Sequence, residues 1–302
     1  MKAFTIYRLG KIKNKWITDA LSEIISTFIL ALFVYASGAQ SVLSKGEASS
    51  VVGRALAASC GLSMAVYCGF NASGACVNPA IALMFCLTGK LQWKRWPLYV
   101  VCELIGAFIA ACLTYGVYYE LIDQFESGAR TVYGDTATSH IFTSFPLENI
   151  SKKTAFFEVA VGCGLLTSLT CMLIDPNNAN AAPGLIPVAL TIMLFPILLS
   201  FSSQAGAPVN PAIDFSGRFL AYLVYGSEVY TRANYWFWVP PVACFTGTLV
   251  SVFWYQFMVG NHLPRNKETE PEVENSQHPE VMFNSKSVST LNTSIATLSE
   301  KL

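Results

Sequence analysis

The sequence predicts an all-α membrane protein with six transmembrane helices and two re-entrant half-helices, built as an inverted repeat of three spans. Three observations carry this. The first is composition: of 302 residues, 53% are hydrophobic and only 13% charged, with a mean hydropathy of +0.45. A soluble domain carries about a quarter of charged residues, so composition argues against a soluble enzyme. The second is length. A helix needs about 20 apolar residues to cross the hydrocarbon core, and the uncharged stretches 55–89 and 176–213 are each too long for one crossing and too short for two with a loop. The third is repetition: the surplus in both stretches ends in nearly the same words, Ser73-Gly-Ala-Cys-Val-Asn-Pro-Ala-Ile81 and Ala205-Gly-Ala-Pro-Val-Asn-Pro-Ala-Ile213, identical at seven of nine positions.

Taken in order, five cations (Lys2, Arg8, Lys11, Lys13, Lys15) precede the first apolar run, residues 17–38. No small-residue cleavage site follows it, so the run is expected to remain as a span rather than leave as a signal peptide. Spans two to six are expected at 55–70, 96–119, 155–174, 185–203 and 235–260. In hydrocarbon every backbone group must be paired internally, which these lengths achieve as helices. Glu23 near the start of span one and Glu158 near the start of span four extend the match between the halves. Three spans per unit is odd, so the second copy is inverted. Paired Gly/Pro-interrupted segments in two inverted halves point to a permeation or substrate site at the membrane midplane.

The expected organisation is therefore a basic N-terminus (1–16), a channel-like body (17–260, with repeats at about 17–119 and 154–260) and a tail (261–302). From Pro264 the tail is rich in Glu, Asn, Ser and Thr and cannot bury a core, so it is expected to be disordered. Cations before span one and span three (Lys90, Lys94, Arg95) place both termini on the cytoplasmic side, although Lys152 and Lys153 before span four run against the rule. Lys+Arg and Asp+Glu both number 19, so there is no basic excess for nucleic acid. The nine Cys (60, 68, 76, 86, 102, 112, 163, 171, 244) are an odd set without zinc-site spacing. They read as buried thiols, with no metal site and no disulfide frame.

Asn is a favoured N-cap and Pro is favoured at the first helical position, so Asn78-Pro79-Ala80 and Asn210-Pro211-Ala212 each read as the start of a short helix. The two N-termini then meet from opposite faces. Their dipole ends, roughly half a positive charge each, repel cations while the Asn amides offer donors to a neutral oxygen. These motifs, in register with a three-span repeat, make the chain resemble the aquaporins over almost its whole length before the tail. It resembles the aquaglyceroporin branch in particular, through Asp214, Phe215 and Arg218 after the second motif, Tyr118 in the third span, Pro240 in the sixth and the loop His140-Ile-Phe-Thr-Ser-Phe-Pro146. Pro241 stands where that branch usually has an aliphatic residue. The resemblance implies a homotetramer in the plasma membrane with one pore per subunit, passing water and small polyols such as glycerol across the lipid bilayer. It implies no cofactor and no catalytic residue.

The chain leaves the pattern at the outer constriction. In place of the arginine that directly follows the second motif in the family stands Ile213, and the other filter positions fall on Ala58, Leu198 and Ala207. An Arg supplies five fixed donors and a permanent charge, so without it the mouth is expected to be wider and drier and to admit larger or less polar solutes. Cys76 replaces the usual His two residues before the first Asn and is a candidate for thiol reagents or a plain small hydrophobe. The resemblance implies that Glu23 and Glu158 accept backbone N–H groups of the two loops; a proton relay is the alternative. Asp214 and Arg218, at i,i+4, also read as an ion pair bracing the outer loop. Of the N-x-Ser/Thr sequons only Asn149 is expected outside, since Asn71 lies in the membrane and Asn292 in the tail. Two further functions stay open at this point: a proton-coupled secondary transporter and a pore-inactive structural membrane protein.

Overall fold

The computed structural model describes residues 10–178 and 181–264. Lys2, Arg8, Asn292 and the polar tail beyond Pro264 lie outside the described residues. Six long apolar helices occupy the expected spans: α1 (Lys15–Leu43), α2 (Val51–Gly69), α4 (Trp96–Phe125), α5 (Lys152–Ile174), α6 (Ile186–Ser200) and α9 (Val239–Met258). Two half-helices, α3 (Pro79–Leu87) and α7 (Pro211–Tyr225), follow re-entrant loops, and α8 (Glu228–Tyr235) leads from α7 towards α9. The last span begins later than expected. Ala233, Asn234 and Tyr235 all have positive φ, which breaks the helix, and α9 starts only after a single tight turn at Trp236–Trp238. At its other end the chain runs helical further than apolarity alone requires. The Asn14 side chain accepts from Trp16 N and caps α1 before the apolar run starts.

The inverted repeat is visible in the packing. α1 crosses α4 at Gly106, where an added Cβ would fall 2.3 Å from the Ile24 carbonyl oxygen; α5 crosses α9 at Gly247, where it would fall 2.2 Å from that of Ala160. Backbones at these crossings touch, the arrangement by which small residues associate helices in lipid. α2 and α6 are joined by hydroxyls instead, Ser63 and Tyr67 donating to the Pro187 and Gly184 carbonyls at 2.7 Å and Thr191 to that of Ser59 at 3.0 Å. On the face bearing α1's start, buried Asp19 pairs with Lys15 at 2.7 Å and with Arg95, whose guanidinium lies over Trp16. The opposite face carries the long connection between α4 and α5, and we call it the loop face.

Candidate functional site

The half-helices run apart from a shared origin. Asn78 caps α3 by accepting from Ala80 N at 3.0 Å, and Asn210 caps α7 by accepting from Ala212 N at 3.0 Å and Ile213 N at 3.4 Å. Each side-chain amide then reaches across: Asn78 Nδ2 donates to the Val209 carbonyl at 2.9 Å and Asn210 Nδ2 to the Val77 carbonyl at 2.7 Å. The two motifs are thus locked to each other as well as to their own helices. A carboxamide nitrogen has two hydrogens, so each Asn keeps a second donor after this bond. Both Asn line one cavity of about 660 Å³, whose wall extends from Arg54 and His140 on the loop-face side to Ile174 and Ile186 on the other side.

Buried carboxylates hold the loops that deliver these residues. Glu23 on α1 accepts from Cys76 N at 3.1 Å and Val77 N at 3.0 Å, one bond per oxygen. Glu158 on α5 accepts from Gln204 N at 3.1 and 3.2 Å and from Ala205 N at 3.0 Å. A third carboxylate, Glu103 on α4, was not singled out from the sequence although it carries the same signal, an acidic residue within a span. It accepts from Asn78 N at 3.0 Å through one oxygen, while the other has no partner among the described residues. In hydrocarbon an unpaired N–H costs several kcal/mol, so these bonds make a non-helical backbone tolerable at midplane depth.

Ala58, Leu198, Ala207 and Ile213 all line the cavity on the loop-face side of the Asn pair, with Ile213 held by its carbonyl, which accepts from Tyr35 Oη at 2.6 Å. Cys76 lines it too, beside the first Asn. The remaining wall is largely aliphatic and includes Leu62, Val66, Leu190 and Leu194.

Two inverted half-helices meeting tip to tip inside six spans decide the fold, and the sequence pattern of the major intrinsic protein family matches residues 11–255. The chain belongs to that family. Human "Aquaporin-10" is 32% identical over 269 residues, covering 89% of both chains. "Probable aquaglyceroporin-2" of Gibberella zeae is 35% identical over 244 residues, 80% of this chain and 72% of the relative. In three dimensions the chain resembles the aquaglyceroporin from Plasmodium falciparum, with a TM-score of 0.73 at 22% identity, covering 81% of this chain and 97% of the other. Among its relatives, then, aquaglyceroporins are prominent.

Within this major intrinsic protein the remaining sequence-predicted residues divide by position. Asp214 and Arg218 form an ion pair at 3.3 Å. Asp214 Oδ1 accepts from Ser144 N at 2.7 Å and Thr143 Oγ1 at 3.1 Å, and Arg218 donates to the carbonyls of Ser144 at 2.7 Å and Val229 at 2.8 Å under the Phe145 ring. The pair therefore binds the 143–145 segment of the loop to α7. Tyr118 instead accepts from Gln40 Nε2 at 3.0 Å, and Pro240 is buried at the start of α9; neither lines the cavity. Asn149 is exposed, but the Ser151 of its sequon caps α5 by accepting from Thr154 N.

Proposed function

We propose that the chain is a passive channel for water and small neutral solutes such as glycerol, working as a homotetramer with one pore per subunit and both termini cytoplasmic in the plasma membrane. The observation that carries the reading is the pair of locked carboxamides, each with a second N–H, lining one cavity whose wall extends to either side of them. A solute entering an aliphatic passage loses hydrogen bonds to water. Asn78 and Asn210 replace them, at roughly 1 kcal/mol net for each ordinary bond. Because the amides are fixed from two sides, they act as donors only, and the two helix N-termini behind them disfavour cations. Downhill passage needs no catalytic group, cofactor or coupled ion.

The aliphatic ring of Ala58, Leu198, Ala207 and Ile213 selects by size and apolarity. Larger polyols should therefore pass better here than through a mouth narrowed by a guanidinium. The test is light-scattering of reconstituted vesicles against water, glycerol and larger polyols, with no pH gradient. Equilibration of water and glycerol is expected, and Ile213→Arg should slow the larger polyols more than water. Transport that requires a proton gradient, or no flux at all, would overturn the reading. Cys76→Ser should also abolish any inhibition by small membrane-permeant thiol reagents.

A further inference from the structure

The filter ring is uncharged, but a cation stands one helical turn further out. Arg54 precedes Ala58 by four residues on α2, about 6 Å along the axis at the helical rise, and lines the same cavity. Among the described residues no carboxylate lies within 4 Å of its guanidinium, and it makes no side-chain hydrogen bond. None of its nitrogens is sealed from solvent. The position is electrostatically uphill as well. Ser50 caps α2 just before it, the positive end of the helix dipole opposes a cation there, and no acidic residue occupies that turn.

Its neighbours at the mouth are committed elsewhere. Asp214, the other charged residue lining the cavity among the described residues, is paired with Arg218. Arg232 gives its guanidinium to the Val132 carbonyl and to the rings of Tyr133 and Phe145, with Glu148 nearby. His140 lines the mouth opposite; its desolvated site, and then the charges of Arg54 and Arg232, hold its imidazole down to about 4, so it is uncharged at neutral pH. Arg54 is left as the unpaired charge facing the passage.

We propose that Arg54 determines selectivity in this pore, repelling inorganic cations at the mouth and donating to the hydroxyls of an entering solute before it reaches the aliphatic ring. Charge selection and size selection are then separated along the axis, rather than combined at the residue after the second Asn-Pro-Ala. This rests on the channel reading above. The test uses the full chain in liposomes, measuring K⁺ entry with an enclosed indicator and water and glycerol by light-scattering. Arg54→Gln is expected to raise K⁺ permeability about tenfold, the scale of one lost charge at close range, with water flux within about twofold of wild type. Arg54→Lys should restore exclusion. Where the Gln variant does not reach the liposomes, Arg54→Ala, which a helix's first turn tolerates, is read in the same way. A neutral variant that conducts water yet admits no more K⁺ than wild type would overturn this proposal alone. A wild-type protein passing neither water nor glycerol would overturn the channel reading and this one with it.

Discussion

The two re-entrant loops share seven of nine residues, yet they are held by different means. Glu23 grips its loop at Cys76 and Val77, directly before the Asn, and Glu103 adds the Asn78 N–H itself. Glu158 grips the other loop further back, at Gln204 and Ala205. One of the two differences between the copies bears directly on this. Where the first loop has Cys76 the second has Pro208, which has no N–H to offer a carboxylate. The helix positions differ to match: one turn before the crossing glycine stands Glu103 in α4 but Cys244 in α9, whose thiol donates to the Pro208 carbonyl at 3.1 Å. Backbone conformation diverges too. Gly74 and Ala75, like Gly206 and Ala207, have positive φ, but only the first copy continues this to its valine, with φ +49 at Val77. A β-branched residue there is strained. The first loop is therefore fixed by two buried carboxyl groups against strain, the second by one carboxyl group, a proline and the loop face.

The comparison breaks most readily at the carboxylates. Glu23→Ala orphans the N–H groups of Cys76 and Val77, both fully buried residues, and should cost about 2–6 kcal/mol at about 1–3 for each. Glu158→Ala orphans one donor on fully buried Ala205 and one on half-buried Gln204, and should cost about 1–3 kcal/mol. Thermal unfolding in detergent measures both; equal losses would mean that the loops are braced alike after all. A finer contrast separates the two acids of the first loop. Glu103 uses one oxygen and Glu23 uses both, so Glu103→Gln should stay within about 0.5 kcal/mol of wild type, whereas Glu23→Gln, whose amide nitrogen cannot accept, should lose about 1–3 kcal/mol.

Strain gives a smaller difference between the two copies. Val77→Gly and Val209→Gly each empty a buried site and destabilise, but only the first also relieves a positive φ, so Val77→Gly should cost less than Val209→Gly by about 1 kcal/mol. The smallest effect belongs to the loop face, which Leu147 N ties to the second loop through the Gln204 carbonyl at 2.9 Å. His140 is exposed on this face, and its proton affinity is lowered in the folded protein, with the charges of Arg54 and Arg232 beside it. Its contribution to stability is therefore complete above the unfolded value near 6.5 and is lost through the acid range below it. The unfolding temperature should decline modestly over that window, and His140→Gln should flatten the decline.

The architecture was legible in the sequence because lipid imposes crude, strong rules. Apolar runs, two of them of the wrong length, and a duplicated Asn-Pro-Ala were enough to give six spans, two half-helices and a central Asn pair. The positions proposed as a filter were reached by counting from the motifs, and Ala58 and Leu198 line the cavity. What escaped were residues whose importance depends on a partner. Glu103 looked like any acidic residue in a span until its oxygen met Asn78 N. Arg54 fell one residue before the expected start of span two and gave no signal, because the angular position that turns it into the cavity is fixed by how α2 packs on α1 and α6. The late start of α9 turned on three successive left-handed residues, Ala233 to Tyr235, whose side chains give no warning of it.

The crosswise bonds of the two Asn also govern how the protein can be made. Asn78 must find Val209, and Val77 must find Asn210, partners separated by more than 130 residues of chain. During synthesis α1 to α4 enter the membrane before residue 209 exists, so the first loop waits with a carbonyl and an amide hydrogen unanswered in a setting where neither is cheap to leave open. The first half is complete in secondary structure but not in bonding until the second half docks upon it. A chain interrupted anywhere before Asn210 accordingly carries its unfinished surface at the middle of the bilayer.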